Sequence, residues 1–244
     1  MNLDTGQWGA VLVVGLVTGF AKCGLPGAGI LAVPVMALAF PARQSVGLLT
    51  PILILGDVLA VASYRHHADW SQLVRLLPSV AAGLAVAGVA LGALRDQHMQ
   101  PLLGGLVLGL LVMDWLRQRF GWEHVPHHPV FVNGMGFLGG VTTTLGNAAG
   151  PIMSIYFLAR GLDKQAFMGT FAWYFLVVNV AKIPIYWYWG MTTPAGLGLC
   201  LYALPAVLVG ALAGRWWLPR VNSARFAQLV RVMAAVTAVR LMWG

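Results

Sequence analysis

Residues 19–34 read GFAKCGLPGAGILAVP, and here Gly, Pro and one Lys interrupt an apolar run that extends from Trp8 to Phe40. This run exceeds the roughly 20 residues that one helix needs to cross a membrane. Because Pro removes a backbone donor and Gly relaxes a helix, we expect a break between Lys22 and Gly29. Unpaired backbone groups are costly in hydrocarbon, so such a break survives only where it is buried in protein or lines a cavity. The stretch therefore predicts a membrane protein with an interior site.

The composition of the whole chain supports the membrane class. Of its 244 residues, 59% are hydrophobic and only 9% are charged, whereas a soluble domain carries roughly 25% charged residues. Soluble and disordered classes are therefore excluded. The formal net charge is +8, and the basic residues are scattered singly through loops, which indicates membrane orientation and no nucleic-acid partner. Cys23 and Cys200 lie in apolar segments and form no disulfide framework.

Eight apolar segments follow one another along the chain, four on each side of a polar linker. Their predicted ranges are Trp8–Phe40, Val46–Tyr64, Leu73–Leu94, Pro101–Trp115, Val130–Leu158, Phe167–Trp189, Leu197–Leu218 and Phe226–Trp243. We therefore predict one membrane domain, built from a four-segment repeat over residues 1–116, a linker over 117–129 and a second repeat over 130–244.

The two halves also resemble each other in sequence. Gly29 corresponds to Gly150, and the turn at residues 42–44 to that at 163–165, at a constant spacing of 121 residues. The second half opens with its own interrupted segment, which contains TTTLGNAAGP over residues 142–151. Paired interruptions at corresponding positions of two repeats indicate the binding site of a transporter.

The distribution of Lys and Arg residues favours a hairpin at each break. If each opening segment returns to its starting side, nine of the basic residues near segment ends lie on one side of the membrane and three on the other. If each opening segment crosses once, the counts are seven and five. The positive-inside rule favours the hairpin. The repeats are then inverted, both termini lie outside, and residues 186–189 (YWYW) form part of an outer aromatic belt. Two short full crossings give the same counts, so a re-entrant and a fully spanning path both stay open.

Each break is expected to place the N-terminus of a second half-helix inside the membrane, near residues 27–30 and 147–152. Unpaired N–H groups and the helix dipole attract anions there. Hydrogen-bond donors beside the second break are Thr142, Thr143, Thr144 and Asn147. The alternative is close helix packing through small residues.

Three ionisable residues lie in apolar surroundings, where such residues are costly and usually functional. Lys22 at the first break and Lys182, which follows Asn179 in the sixth segment, are expected to neutralise the anion. The alternative for Lys182 is snorkelling to the interface. Asp57 lies opposite residues 178–179 by the repeat spacing, and three roles stay open for it: proton coupling, an ion pair with a lysine, or a polar contact at a helix end.

The remaining motifs indicate no catalytic or metal chemistry. The pairs at residues 66–67 and 127–128 are histidines without a helical i, i+4 partner, so we expect no metal site. No HExxH, GxSxG or Walker pattern is present in the sequence, which argues against a hydrolase or an ATP-driven pump. We expect no cofactor and no enzymatic activity.

The opening stretch from Gly19 to Pro34 resembles the signature of the TauE/SafE family of sulfite exporters. The resemblance extends to chain length, to the duplicated four-segment plan, and to Leu77-Pro78 with Gly83 and Leu204-Pro205 with Gly210. It implies a transporter that moves sulfite, organosulfonates or other small sulfur anions across the bacterial inner membrane, usually outward. The anion site that the resemblance implies involves Gly24, Gly27, Gly29, Gly146, Asn147 and Gly150.

Together these observations predict an all-helical, multi-pass inner-membrane secondary transporter for a small sulfur-containing or carboxylate anion. Its expected partners are this anion and the lipid bilayer, and homo-oligomerisation is left open. One alternative is uptake of another organic anion or of a metal cation, although a cation would need converging carboxylates. The other alternative is a membrane-embedded enzyme or assembly subunit, which would need a catalytic cluster.

Overall fold

A computed structural model describes residues 3–25, 28–120 and 129–217, and within these ranges every element is helical. Nine α-helices occur there: α1 (Thr5–Cys23), α2 (Ala32–Ala39), α3 (Ala42–Tyr64), α4 (Trp70–Ala93), α5 (Asp96–Phe120), α6 (Pro129–Gly146), α7 (Gly150–Ala159), α8 (Lys164–Tyr188) and α9 (Pro194–Trp217). Short 3₁₀ helices precede α2 (Ala28–Leu31) and follow α3 (Arg65–His67). The predicted eighth segment, Phe226–Trp243, lies outside the described residues.

Five helices in the described ranges are long and apolar enough to cross a membrane. They cover Thr5–Cys23, Ala42–His67, Trp70–Ala93, Gln165–Tyr188 and Gly196–Trp216. Their outward faces carry large apolar side chains that stay exposed, among them Val89, Val74 and Leu212, as a surface in contact with lipid requires. The protein is therefore an all-helical membrane protein, and the eight-segment count stays a prediction.

Helix α5 is longer than the sequence pattern predicts. It continues through Phe120, whereas the fourth segment was expected to end at Trp115. Leu, Arg and Gln at residues 116–119 all have high helix propensity, so charge alone does not end a helix. The first residues of the predicted linker are therefore helical.

The first predicted break is present, and the chain reverses there. Helix α1 ends at Cys23 with Gly24 as its C-cap. At the opposite end of the helix pair, Gln7 Nε2 near the start of α1 donates to the carbonyl oxygen of Ala39 at the end of α2, at 3.2 Å. Helices α1 and α2 therefore form a hairpin whose two outer ends lie together.

The second break is built in the same manner. Helix α6 ends at Gly146, Asn147 adopts a left-handed backbone with φ of 54°, and α7 begins at Gly150. The hydroxyl of Tyr156 in α7 donates to Gln72 at the start of α4, at 3.2 Å. Since α4 runs beside α6 in the same direction, α7 returns toward the end at which α6 begins. How deeply either hairpin enters the membrane stays a prediction.

Two long helix pairs run parallel and approach closely through glycines. Along α1 and α9 the contacting pairs are Gly15 with Ala203, Gly19 with Val207 and Gly24 with Gly214. Along α4 and α6 they are Ser79 with Gly136, and both Val80 and Leu84 with Gly140. Small residues let helix backbones pack at this distance.

Helices α3 and α8 cross between these pairs and run antiparallel. Their contacting pairs are Asp57 with Asn179 and Tyr64 with Gly169, and Gly47 near the start of α3 packs against Met191 just after the end of α8. The predicted pairing of Asp57 with residues 178–179 is therefore confirmed, because α3 and α8 meet near their middles.

Candidate functional site

The two chain breaks meet at one partly open cavity. It has a volume of about 50 Å³, which is room for a few water molecules or a very small solute. Predicted site residues supply its polar wall: Lys22, Gly29, Thr143, Asn147, Gly150 and Asn179. The rest of the wall is apolar and consists of Ala21, Ile30, Leu53, Ala148, Phe171 and Phe175. The structure therefore brings both interruptions and α8 to the same place.

Other predicted site residues lie outside this wall. Gly24 packs against Gly214 and so serves the contact between α1 and α9. The hydroxyls of Thr142 and Thr144 donate to carbonyl oxygens of the preceding turn of α6, both at 2.8 Å. Gly146 is buried at the end of α6. Gly27 lies outside the described residues.

Asp57 forms an ion pair at the centre of the molecule. Lys22 Nζ lies 2.7 Å from Asp57 Oδ1, and Asn179 Nδ2 donates to Asp57 Oδ2 at 2.6 Å. The Asp57 side chain is 0% exposed and lies within α3, so a contact at a helix end is wrong. Of the three predicted roles, the ion pair is present, and proton coupling stays a prediction.

Lys22 connects this ion pair to the cavity. Its side chain is 10% exposed, and its Nζ lies 3.9 Å from the ring centroid of Phe175, within the range of a cation–π contact. An ammonium group has three N–H donors, of which Asp57 Oδ1 takes one. Donors of Lys22 therefore remain for a solute.

Lys182 is fully buried and does not reach the interface, so snorkelling is wrong. Its Nζ donates to Thr143 O at 3.2 Å, to Thr143 Oγ1 at 2.9 Å and to Asn147 Oδ1 at 2.5 Å. Three acceptors match the three donors of an ammonium group. Within the described residues no carboxylate forms an ion pair with Lys182. Lys182 therefore lies behind the cavity wall and holds two of its polar residues.

The contacts of Lys182 leave Thr143 as a donor toward the cavity. Thr143 Oγ1 accepts from Lys182, whereas Thr142 and Thr144 direct their hydroxyl hydrogens to their own helix. The hydroxyl hydrogen of Thr143 is therefore the one in this run that is available to a bound solute.

Asn147 is fixed by contacts from two helices. Its Oδ1 accepts from Lys182 and from Thr50 Oγ1, the latter at 3.1 Å, and its Nδ2 donates to Val46 O at 3.0 Å. An amide nitrogen carries two hydrogens, so one remains for the cavity. The left-handed residue at the break is thus locked between α3 and α8.

Tyr186 is a site residue that the sequence analysis missed. It is fully buried, and its hydroxyl donates to Thr143 O at 3.2 Å and to Thr144 O at 2.8 Å. Its assignment to an aromatic belt is wrong, although Trp187 and Tyr188 are 51% and 79% exposed. Tyr186 lies four residues after Lys182, which places both on one face of α8. This spacing was the available signal.

Comparisons with known proteins give one match. The family model described as "Sulfite exporter TauE/SafE" matches residues 11–241. No curated protein and no solved structure matches the chain. No cluster of three His, Cys, Asp or Glu side chains suited to a metal ion occurs in the described ranges.

Proposed function

Because this chain belongs to the TauE/SafE sulfite exporter family, we propose that it is a secondary transporter that carries a small sulfur-containing anion outward across the inner membrane. The anion binds where the two hairpin breaks meet. Lys22, Thr143 and Asn147 donate hydrogen bonds to it, and the first turn of α7 adds backbone N–H groups and a favourable dipole.

The observation that carries this proposal is the cavity shared by both breaks. Its polar wall contains Lys22 from α1, Thr143 from α6 and Gly150 from α7. Donors converge there from the two halves of the chain, and the rest of the wall is apolar. In such surroundings hydrogen bonds and charges act more strongly than in water. This is the arrangement that anion transporters with broken helices use.

The directions of the helices support inverted repeats. If α1 corresponds to α6 and α4 to α9, the pair α1–α9 is equivalent to the pair α6–α4, and both pairs are parallel. The contact of Gly19 with Val207 is then equivalent to that of Gly140 with Val80. Equivalent helices α3 and α8 run antiparallel, as hairpin openings require, whereas single crossings would make them parallel.

Alternating access then follows from rocking of one repeat against the other around the cavity. Asp57 competes with the anion for Lys22, because both bind the same ammonium group. Protonation of Asp57 frees Lys22 for the substrate, and loss of that proton draws Lys22 back. Asp57 thereby links anion binding to proton binding.

The test is sulfite flux in proteoliposomes that contain the full chain. Thr143→Val keeps the shape of the side chain and removes its donor, and Thr142→Val is the matched control because its hydroxyl bonds its own helix. We expect sulfite transport by the wild type and by Thr142→Val, with at least a tenfold loss in Thr143→Val. Absence of sulfite or sulfonate flux in the wild type contradicts the function, and equal flux in both variants removes Thr143 from the site.

A further inference from the structure

Helices α3 and α8 correspond to each other residue by residue at one constant spacing. Asp57 and Asn179, which bond each other near the middle of the two helices, are 122 residues apart. Gly47 and Gly169 are separated by the same number of residues. Each of these glycines packs at the end of the opposite helix or just beyond it. The correspondence of the two repeats therefore holds along both helices.

At this spacing Tyr64, the last residue of α3, corresponds to Tyr186 of α8, and their hydroxyls make the same bond. Tyr64 Oη donates to the carbonyl oxygen of Cys23 at 2.9 Å. Tyr186 Oη donates to the carbonyl oxygen of Thr144 at 2.8 Å. Cys23 and Thr144 are themselves at corresponding positions of the first helices, 121 residues apart. In both halves of the chain a tyrosine of the long helix thus bonds the first helix of its own repeat.

These bonds satisfy backbone groups that a helix end leaves unpaired. The last four carbonyl groups of an α-helix have no partner within the helix. Helix α1 ends at Cys23 and α6 ends at Gly146, so both bonded carbonyls belong to the last turn before a break. Cys23 is 2% exposed, and a buried carbonyl without a donor is costly. The tyrosine hydroxyl therefore holds the end of the first helix at each break.

The residue before each bonded carbonyl is a donor of the anion site. Lys22 precedes Cys23, Thr143 precedes Thr144, and both donors line the cavity. Tyr64 is not part of the cavity wall that the described residues form, so it acts on a bound anion only through the backbone that it holds. A donor that is fixed in advance in its binding position loses less freedom when the anion binds.

We propose that Tyr64 is a positioning residue of the anion site, which holds the end of α1 so that Lys22 faces the cavity. This inference rests on the proposed anion site. Tyr186 does the same for Thr143 in the second repeat, so the two donors are held by one structural device that occurs twice.

The first measurement is calorimetric titration of the full-length protein in detergent with sulfite. Tyr64→Phe removes one hydroxyl and keeps the ring, and we expect sulfite to bind this variant about tenfold more weakly than the wild type, the scale of one hydrogen bond. Tyr186→Phe should weaken sulfite binding as well. The matched control is Tyr188→Phe, which removes a hydroxyl from a side chain of α8 that is 79% exposed and should bind sulfite as the wild type does.

The second measurement uses Cys23 as a local reporter of the end of α1. In a Cys200→Ser background, a small uncharged maleimide alkylates Cys23 only when this end of α1 moves, because Cys23 is buried. We expect alkylation in Tyr64→Phe to be about tenfold faster than in the wild type, since the opening no longer breaks the hydrogen bond. Tyr186→Phe frees the other break and should keep the wild-type rate, whereas a general loss of stability would raise the rate in both variants.

The outcomes separate this inference from the function on which it rests. Unchanged sulfite affinity in Tyr64→Phe, or equal alkylation rates of Cys23 in Tyr64→Phe and Tyr186→Phe, overturns the inference and leaves the anion site standing. Loss of cooperative thermal unfolding in Tyr64→Phe also overturns it, because the hydroxyl would then serve the fold as a whole. Absence of sulfite binding by the wild type overturns the proposed function itself, and the alkylation rates still decide whether Tyr64 holds α1.

Discussion

Lys182 Nζ lies 2.9 Å from Thr143 Oγ1 and 2.5 Å from Asn147 Oδ1, so one buried cation in α8 holds the chain on both sides of the end of α6. A fully buried lysine is costly, and here three neutral oxygens accept its hydrogen bonds. The contact therefore does two things at once. It keeps the second break in place, and it fixes Thr143 and Asn147 at the cavity wall.

Replacement of this lysine should affect both stability and binding. In Lys182→Met, Thr143 Oγ1 loses its donor, whereas Asn147 Oδ1 and Thr143 O each keep one other donor. A buried acceptor that is left unsatisfied costs about 1–3 kcal/mol. We expect a lower melting temperature in detergent and weaker stabilisation by added sulfite, because Thr143 and Asn147 are no longer held at the cavity wall by Lys182. Thermal unfolding with and without the anion measures both effects.

The control for Lys182→Met is Arg75→Met, which removes a positive charge from an exposed position of α4. It should change neither the melting temperature nor its response to sulfite. A Lys182→Met protein that is stabilised by sulfite as strongly as the wild type would show that Lys182 plays no part in binding.

Lys22 and Asp57 should show strong coupling in a double-mutant cycle. Lys22→Ala leaves a fully buried carboxylate without its partner, and breaking a buried pair from one side costs about 3–5 kcal/mol. Lys22→Ala combined with Asp57→Asn removes the stranded charge, so we expect most of the stability to return. Anion binding should not return, because the donor at the cavity wall is still missing.

Denaturant or thermal unfolding gives the stability term of this cycle, and calorimetric titration gives the binding term. The two readouts separate a structural role of Lys22 from a binding role. If the double variant recovers anion binding together with stability, Lys22 acts only as the partner of Asp57.

Asp57→Asn alone tests proton coupling. The variant keeps a polar group beside Asn179 and cannot gain or lose a proton. We expect sulfite flux driven by an imposed pH gradient to be abolished, while exchange of sulfite for sulfite across the membrane persists. Ser63→Ala, a small polar residue of the same helix whose hydroxyl bonds Leu59 O, should retain both. Persistence of gradient-driven flux in Asp57→Asn rules out the coupling role.

The sequence predicted the parts of the site that depend on chain interruptions and on charge. A broken helix must lie in protein, and a charged residue in an apolar segment must find partners, so Lys22, Asp57, Asn147 and Lys182 were recognisable without coordinates. The repeat spacing also predicted that Asp57 faces Asn179. These signals are local or periodic, so both kinds can be recognised in the amino-acid sequence itself.

The partners that close the site were not predictable in this way. Tyr186 was assigned to the membrane interface because the residues that follow it are aromatic. Only the packing of Tyr186 against the end of α6 shows that its hydroxyl binds Thr143 O and Thr144 O. Phe171 and Phe175 are apolar residues in an apolar helix, so nothing in the sequence separates them from residues that contact lipid. The family resemblance assigned Gly24 to the anion site, but the neighbouring Gly214 makes it a packing residue.

The hairpin topology can be tested by labelling single cysteines in intact cells. In a variant with Cys23 and Cys200 replaced by Ser, we expect cysteines at Arg95 and at Leu3 to react with a membrane-impermeant reagent from outside. Cysteines at His67 and at residues 117–128 should react only after the cytoplasmic side is opened. The contact between Gln7 and Ala39 shows that α2 ends on the side of the membrane at which α1 begins. Helix α3 therefore starts on that side and ends on the opposite side. If Leu3 and Arg95 were labelled from different sides, the first segment would cross the membrane once and the repeats would not be inverted.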